Sequence, residues 1–158
     1  PFTVSLMLII YGVILIIIES SKKVKVKTKT IQELSFKTAV GIGFFQCLAM
    51  IPGTSRSAAT IIGGVLLGLE RVLATEFSFF LAIPTMFGAS FYKIMKSGFN
   101  LSGYEVFLIA LGFVLSFIIS YIVIKLFLDY IKKHDFKVFG YYRIILGIVM
   151  LAFMFMTK

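Results

Sequence analysis

Apolar residues along this chain come in long blocks, not in the alternating pattern of a strand or the half-face pattern of a surface helix. Residues 2–18 and 106–124 carry no charge, and residues 72–92 carry only Glu76. Residues 144–157 form a shorter run that Tyr141, Tyr142 and Arg143 extend at a membrane interface. Each block approaches the ~20 residues that take a helix across a bilayer. Between the first two lies residues 38–69, also rich in apolar residues but interrupted by Pro52-Gly53-Thr54-Ser55-Arg56-Ser57. The pattern predicts an all-α polytopic membrane protein: about four transmembrane helices plus one re-entrant helix pair, in a single membrane domain covering residues 1–158.

The re-entrant pair follows from length and from loop charge. Residues 38–51 and 57–69 suit helices, but each reaches only about 20 Å at ~1.5 Å per residue. The hydrocarbon core is ~30 Å thick. Pro52 removes a backbone donor and disfavours helix at Ile51, Gly53 loosens the chain, and Ser55 or Thr54 is placed to cap a second helix. A hairpin at residues 38–69 also puts both basic stretches on one face. Lys22, Lys23, Lys25, Lys27, Lys29 and Lys37 then join Lys125, Lys132, Lys133, Lys137 and Arg143 on the cytoplasmic side, leaving Lys93 and Lys96 near the outside loop at residues 97–103. A single crossing would strand five of these basic residues on the wrong face, against the positive-inside rule.

Composition supports a membrane class and excludes others. The chain of 158 residues is 59% hydrophobic, with a mean hydropathy of +1.03. The basic residues behind its net charge of +9 cluster in two expected loops, residues 22–37 and 125–143, which read as cytoplasmic flanks facing anionic lipid and not as a nucleic-acid surface. Cys47 is the single cysteine, so no disulfide framework or metal-ligand spacing exists, and a buried inert thiol is expected. His134 lies among lysines and reads as a surface residue. Thr60, Gly64 and Gly68 at spacing four, with Ala59 and Gly63 beside them, form small-residue rows that let membrane helices approach closely. Glu76 reads as an interfacial carboxylate or, alternatively, as a partner for Arg56 or Arg71.

The interruption carries the chemistry. An arginine at membrane depth costs roughly 2.5 kcal/mol or more, so Arg56 is a functional candidate by default. Its planar fork suits phosphate. Thr54, Ser55, Ser57 and Thr60 supply hydroxyls, Gly53 lets a ligand approach the backbone, and the second half-helix aims its positive end at the tip. Gln46, before the break, is placed to orient a ligand or a water. Arg56 and Ser55 are the candidate catalytic residues, and Gly53, Thr54, Ser57, Thr60 and Gln46 the candidate phosphate-binding residues. No local base activates a serine, so the serines are assigned to binding.

The run from Gln46 to Ser57, followed by Thr60-Ile61, resembles the second signature of the bacterial undecaprenyl-diphosphate phosphatases, the bacitracin-resistance family. Arg71, Ala74, Glu76-Phe77-Ser78-Phe79, Ala82-Ile83-Pro84 and Gly88-Ala89 also fit that pattern, over roughly residues 38–92. Ala58 departs from it, where glycine is common. The resemblance implies a multi-pass enzyme of the bacterial inner membrane. It removes the terminal phosphate of undecaprenyl diphosphate and so recycles the lipid carrier of peptidoglycan synthesis. It also implies two inverted halves, each with a re-entrant pair, of which this chain resembles the second, C-terminal one. The family's first signature, a glutamate pair and a histidine near a Ser-rich loop, has no counterpart here. A divalent cation (Mg or Ca) is therefore expected in the complete enzyme, with its ligands outside this chain. The chain begins at Pro1 and is expected to be a fragment that works with a missing N-terminal half or a complementary chain.

Two other classes compete. A transporter or flippase for a phosphorylated polyprenyl lipid also uses inverted repeats and broken helices aimed at an anion. A purely structural subunit leaves Arg56 and its hydroxyls unexplained.

Overall fold

The computed structural model describes residues 2–21, 25–97 and 102–156. Six α-helices occupy the described residues: α1 (Phe2–Ser20), α2 (Phe36–Cys47), α3 (Arg56–Leu66), α4 (Arg71–Ser97), α5 (Gly103–Lys133) and α6 (Lys137–Met156). Among the described residues α1, α4, α5 and α6 are long and apolar enough to cross a membrane. The chain is a multi-pass membrane protein. Helices α2 and α3 are only 12 and 11 residues long, about 18 Å or less at ~1.5 Å per residue.

The two short helices form an antiparallel hairpin. Gly63 of α3 lies against the ring of Phe45 late in α2, while Gly41, in the middle of α2, faces Leu67, the C-cap of α3. The small-residue rows expected on α3 serve two neighbours at once: Gly63 admits α2, and Gly64 admits Ala74 of α4. Gly68, expected in the row of Thr60 and Gly64, instead lies past the end of α3. Its φ of +96° turns the chain out of α3, with Leu69 N donating to Gly64 O at 2.9 Å and Gly68 N to Val65 O at 2.9 Å.

One end of the bundle gathers the chain's basic stretches. Lys27 and Thr28 donate to Gly68 O, and Glu70 donates back to Thr28 O. Arg71 forms an ion pair with Glu19 at the end of α1. Phe79, early in α4, meets Phe127, late in α5, edge to face at 6.1 Å. The C-terminal end of α5 therefore lies at the end from which α4 departs. Residues 22–24 of the first basic stretch and residues 98–101 of the opposite loop lie outside the described residues.

The second basic stretch is not a loop. Helix α5 continues to Lys133 and α6 starts at Lys137, so only residues 134–136 connect them. Lysines late in α5 extend from a helix whose C-terminal end they favour electrostatically. Charge there does not signal a break. A capping box at Ser102 and Glu105 fixes the other end of α5. Helix α6 returns against α1 in an antiparallel seam. A Cβ added to Gly12 would stand 2.7 Å from Gly140 O, and one added to Gly147 would stand 2.8 Å from Ser5 O.

Candidate functional site

The hairpin tip is built from local backbone chemistry. After α2 a 3-10 turn over Leu48–Met50 ends at Ile51, extended at φ −75° and ψ 120°, as the residue before a proline must be. Gly53 has φ +97° and Ser55 has φ +67°. Ser55 is the N-cap of α3, its Oγ accepting from Ala58 N at 3.5 Å. The sequence had left the cap open between Ser55 and Thr54. The N–H groups of Ser55, Arg56 and Ser57 make no hydrogen bond among the described residues, as expected for a helix's first turn.

The tip's side chains diverge to two sides. Arg56 reaches toward α4, its Nη1 3.4 Å from Thr85 Oγ1. There it lines a cavity of about 650 Å³ with Glu76, Phe79, Phe80, Ile83 and Met86 of α4 and with Ile124 and Leu128 of α5. Ser55 and Ser57 line a second cavity of about 240 Å³, with Tyr142 and Arg143 of α6. Successive helical side chains point ~100° apart, so three consecutive residues cannot all face one ligand side by side.

The remaining candidates sit around this divide. Thr54 is buried, and among the described residues neither its hydroxyl nor the buried Oε1 of Gln46 has a hydrogen-bond partner. Thr60 is occupied: its Oγ1 shares a 2.7 Å hydrogen bond with Ser78 and donates to the carbonyls of Arg56 and Ser57. Its place is the α3–α4 contact, away from both cavities. Glu76 shares a cavity with Arg56 without an ion pair, whereas Arg71 is held by Glu19. Cys47 is exposed, not buried as expected: it lines an open groove between α2 and α4 with Phe44, Phe77 and Leu81. His134 is exposed and stacks on Tyr130 at 4.3 Å.

Arg143 is the residue that sequence reasoning placed elsewhere. It stands half-buried in α6 and donates from Nη2 to Gly53 O and to Thr54 O, both at 2.9 Å. Its guanidinium lies 6.0 Å from the ring centroid of Tyr11, and its buried Nε has no partner among the described residues. The available signal was an arginine inside an apolar run. Its aromatic neighbours Tyr141 and Tyr142 made an interfacial anchor the simpler reading.

Among the described residues no three His, Cys, Asp or Glu side chains group closely enough to hold a metal ion. These residues do not by themselves fit a divalent cation. Their donors are guanidinium, hydroxyl and backbone N–H groups, a set suited to an anion.

Comparison with known proteins agrees with the chemistry of the tip. Residues 1–149 match the family described as Bacitracin resistance protein BacA. The chain is 58% identical over 153 residues to Undecaprenyl-diphosphatase 1 of Clostridioides difficile (strain 630), covering 97% of this chain and 56% of that protein. It is 53% identical over 152 residues to an Undecaprenyl-diphosphatase of Enterococcus faecalis, covering 96% of this chain and 55% of the relative. A third relative, from Fusobacterium nucleatum subsp. nucleatum, is 56% identical over 155 residues, with 96% and 58% covered. The chain spans just over half the length of these curated relatives. A match of that reach leaves one assignment: this chain belongs to the BacA bacitracin resistance protein family.

Proposed function

We propose that this chain supplies the phosphate-binding half of an integral-membrane phosphatase. The complete protein hydrolyses undecaprenyl diphosphate to undecaprenyl phosphate and inorganic phosphate, recycling the lipid carrier of peptidoglycan synthesis in the bacterial inner membrane. The observation that carries this reading is Arg56 on an otherwise largely apolar cavity, beside first-turn N–H groups of α3 that have no partner among the described residues. Relatives named for that substrate share nearly the whole chain.

On this reading Arg56 takes phosphate oxygens with its fork and offsets the charge that grows on them during phosphoryl transfer. Its contact with Thr85 is long and easily exchanged for a phosphate oxygen. Ser55 and Ser57 donate hydroxyls from the other side of the tip, and Gly53 keeps the backbone open. Thr54 and Gln46 hold unpartnered oxygens close to the break, where a bound water or ligand donor satisfies them. Thr60 supports the site by fixing α3 to Ser78 of α4. A divalent cation, magnesium or calcium, would neutralise diphosphate charge in the complete enzyme. Its ligands come from the remaining half of the protein, an inverted counterpart or a complementary chain, and no step here passes through it.

The α2–α3 hairpin is the re-entrant pair, entering and leaving the bilayer on the cytoplasmic face with the basic stretches. The test is phosphate release from undecaprenyl diphosphate by the complete purified protein, beside a vesicle assay for lipid movement. Hydrolysis lost in Arg56→Ala is the expected result. Movement of intact lipid without phosphate release would make the protein a flippase.

A further inference from the structure

We infer that Arg143 is a positioning residue for the phosphate site: it sets the peptide planes of the hairpin tip from a helix 90 residues away along the chain. The inference rests on the proposed phosphate-binding role of the tip, but its geometric core is independent of that reading.

The geometry is specific. A single Nη2 carries two hydrogens, and both are given to successive carbonyls, Gly53 O and Thr54 O, at 2.9 Å each. A trans peptide points its C=O and the next residue's N–H in opposite directions. Holding Thr54 O toward α6 therefore aims the Ser55 N–H away from α6. That N–H has no protein partner among the described residues and stands first in the donor series of Ser55, Arg56 and Ser57. The clamp thus turns two carbonyl lone pairs away from an incoming anion and presents a donor in their place. The guanidinium also screens those carbonyls electrostatically, so the tip meets a phosphate as a positive surface.

A second observation says why an external clamp is needed. Ser55 holds φ +67° and ψ 123°, a region that a residue with a Cβ rarely adopts and that persists only when its surroundings over-determine it. The cap to Ala58 N is long, at 3.5 Å. The two charge-assisted bonds from Arg143 are the stronger restraint on this turn. Arg143 also borders the same cavity as Ser55 and Ser57, so its side chain packs beside the residues it orders.

Arginine is required for this task and lysine does not replace it. A lysine ammonium has donors enough for two carbonyls, but its stem ends one bond short of the guanidinium Nη2 and it offers no planar face to the ring of Tyr11.

The experiment uses the complete protein in lipid nanodiscs, with Arg143→Lys and Arg143→Ala. Amide hydrogen exchange over residues 53–58 is expected to accelerate roughly tenfold or more in both variants, since two bonds to a charged group are lost. With phosphate release as the second readout, kcat should fall roughly 100-fold, the scale of a small misplacement of catalytic groups. KM should stay within about threefold, because Arg56 still binds. Guanidinium ion added to Arg143→Ala should recover part of kcat, while methylammonium should not. Unchanged exchange at the tip in Arg143→Lys would overturn the clamp even if activity falls. Faster tip exchange in the two variants, together with a wild-type protein that releases no phosphate, would keep the clamp and remove the phosphatase reading. If Arg143→Ala does not fold, Arg143→Lys decides, and wild-type exchange and kcat in that variant refute the inference.

Discussion

A Cβ placed on Gly53 would stand 2.6 Å from the carbonyl oxygen of Val4 on α1 and 2.7 Å from its Cα. Both are backbone atoms, so nothing flexible can move aside. Gly53 also has φ +97°, where a side chain adds strain. Gly53→Ala should therefore destabilise the protein through two additive routes, each worth roughly 1–3 kcal/mol. Thermal unfolding of the complete protein in detergent measures it. A melting temperature within a degree or two of wild type would show that α1 does not press on the tip.

Ser55 separates stability from function. Ser55→Ala keeps the unfavourable φ of +67° and loses the cap. Ser55→Gly also loses the hydroxyl, but it relieves the backbone and costs only a few tenths of a kcal/mol as a cap. The glycine variant should melt above the alanine variant by the equivalent of about 1 kcal/mol, while both lose the hydroxyl's contribution to phosphate release. An alanine variant at least as stable as the glycine one would mean that Ser55 is not strained.

Arg56→Lys should lower kcat roughly 100-fold at normal expression, because a point charge on a flexible stem reproduces neither fork nor direction. Among the described residues the side-chain hydrogen bond of Arg56 is a long one, to Thr85, so its removal should barely change the melting temperature. Near-normal turnover in this variant would take Arg56 out of the site.

How much of this was legible before any coordinates is clearest at the tip. Pro52 and Gly53 fixed the break because their backbone restrictions are local, and a serine cap needs nothing beyond the first turn of α3. The long helices were readable for the same reason: apolar blocks of sufficient length have few alternatives. Arg143 was not readable. Its partners are the carbonyls of Gly53 and Thr54, and no local pattern marks which distant backbone an arginine will hold. The divergence of Arg56 from Ser55 and Ser57 was within reach, since it needs only helical geometry, but hydroxyls crowded around an arginine suggested one cradle. The loop expected at residues 125–143 failed because basic residues mark proximity to a membrane face and not an end of helix.

The Glu19–Arg71 ion pair is asymmetric, and its two halves should respond differently. The Glu19 side chain is 10% exposed and that of Arg71 42% exposed. Glu19→Gln leaves a guanidinium that solvent or lipid phosphate can reach, a loss expected to stay below about 1 kcal/mol. Arg71→Ala leaves a buried carboxylate unpaired, which should cost roughly 2 kcal/mol or more. Unfolding of the two single variants and of the double variant checks this. The double variant should recover most of the stability lost in Arg71→Ala. Equal losses in both single variants would show that the burial difference does not matter.

The 158-residue chain on its own should not hydrolyse undecaprenyl diphosphate, even when it inserts into a membrane. Its tip offers a guanidinium, hydroxyls and backbone N–H groups, which hold phosphate but do not accept a proton near neutral pH. Transfer of a phosphoryl group to water also needs charge neutralisation and a positioned base. Glu76 is the single carboxylate on the Arg56 cavity, and no second acidic or histidine ligand set gathers there among the described residues. His134 stacks on Tyr130 at the C-terminal end of α5, where it borders neither cavity. This chain spans just over half the length of the relatives that carry the diphosphatase name, and the remaining chemistry is proposed to come from the part not matched here. The measurement is phosphate release by the purified chain with magnesium and with calcium, before and after adding the complementary half. Activity appearing only in the mixture is the expected result. Sustained turnover by the chain alone, abolished by Arg56→Ala, would mean that Glu76 serves as the base and that the catalytic set is complete in these six helices.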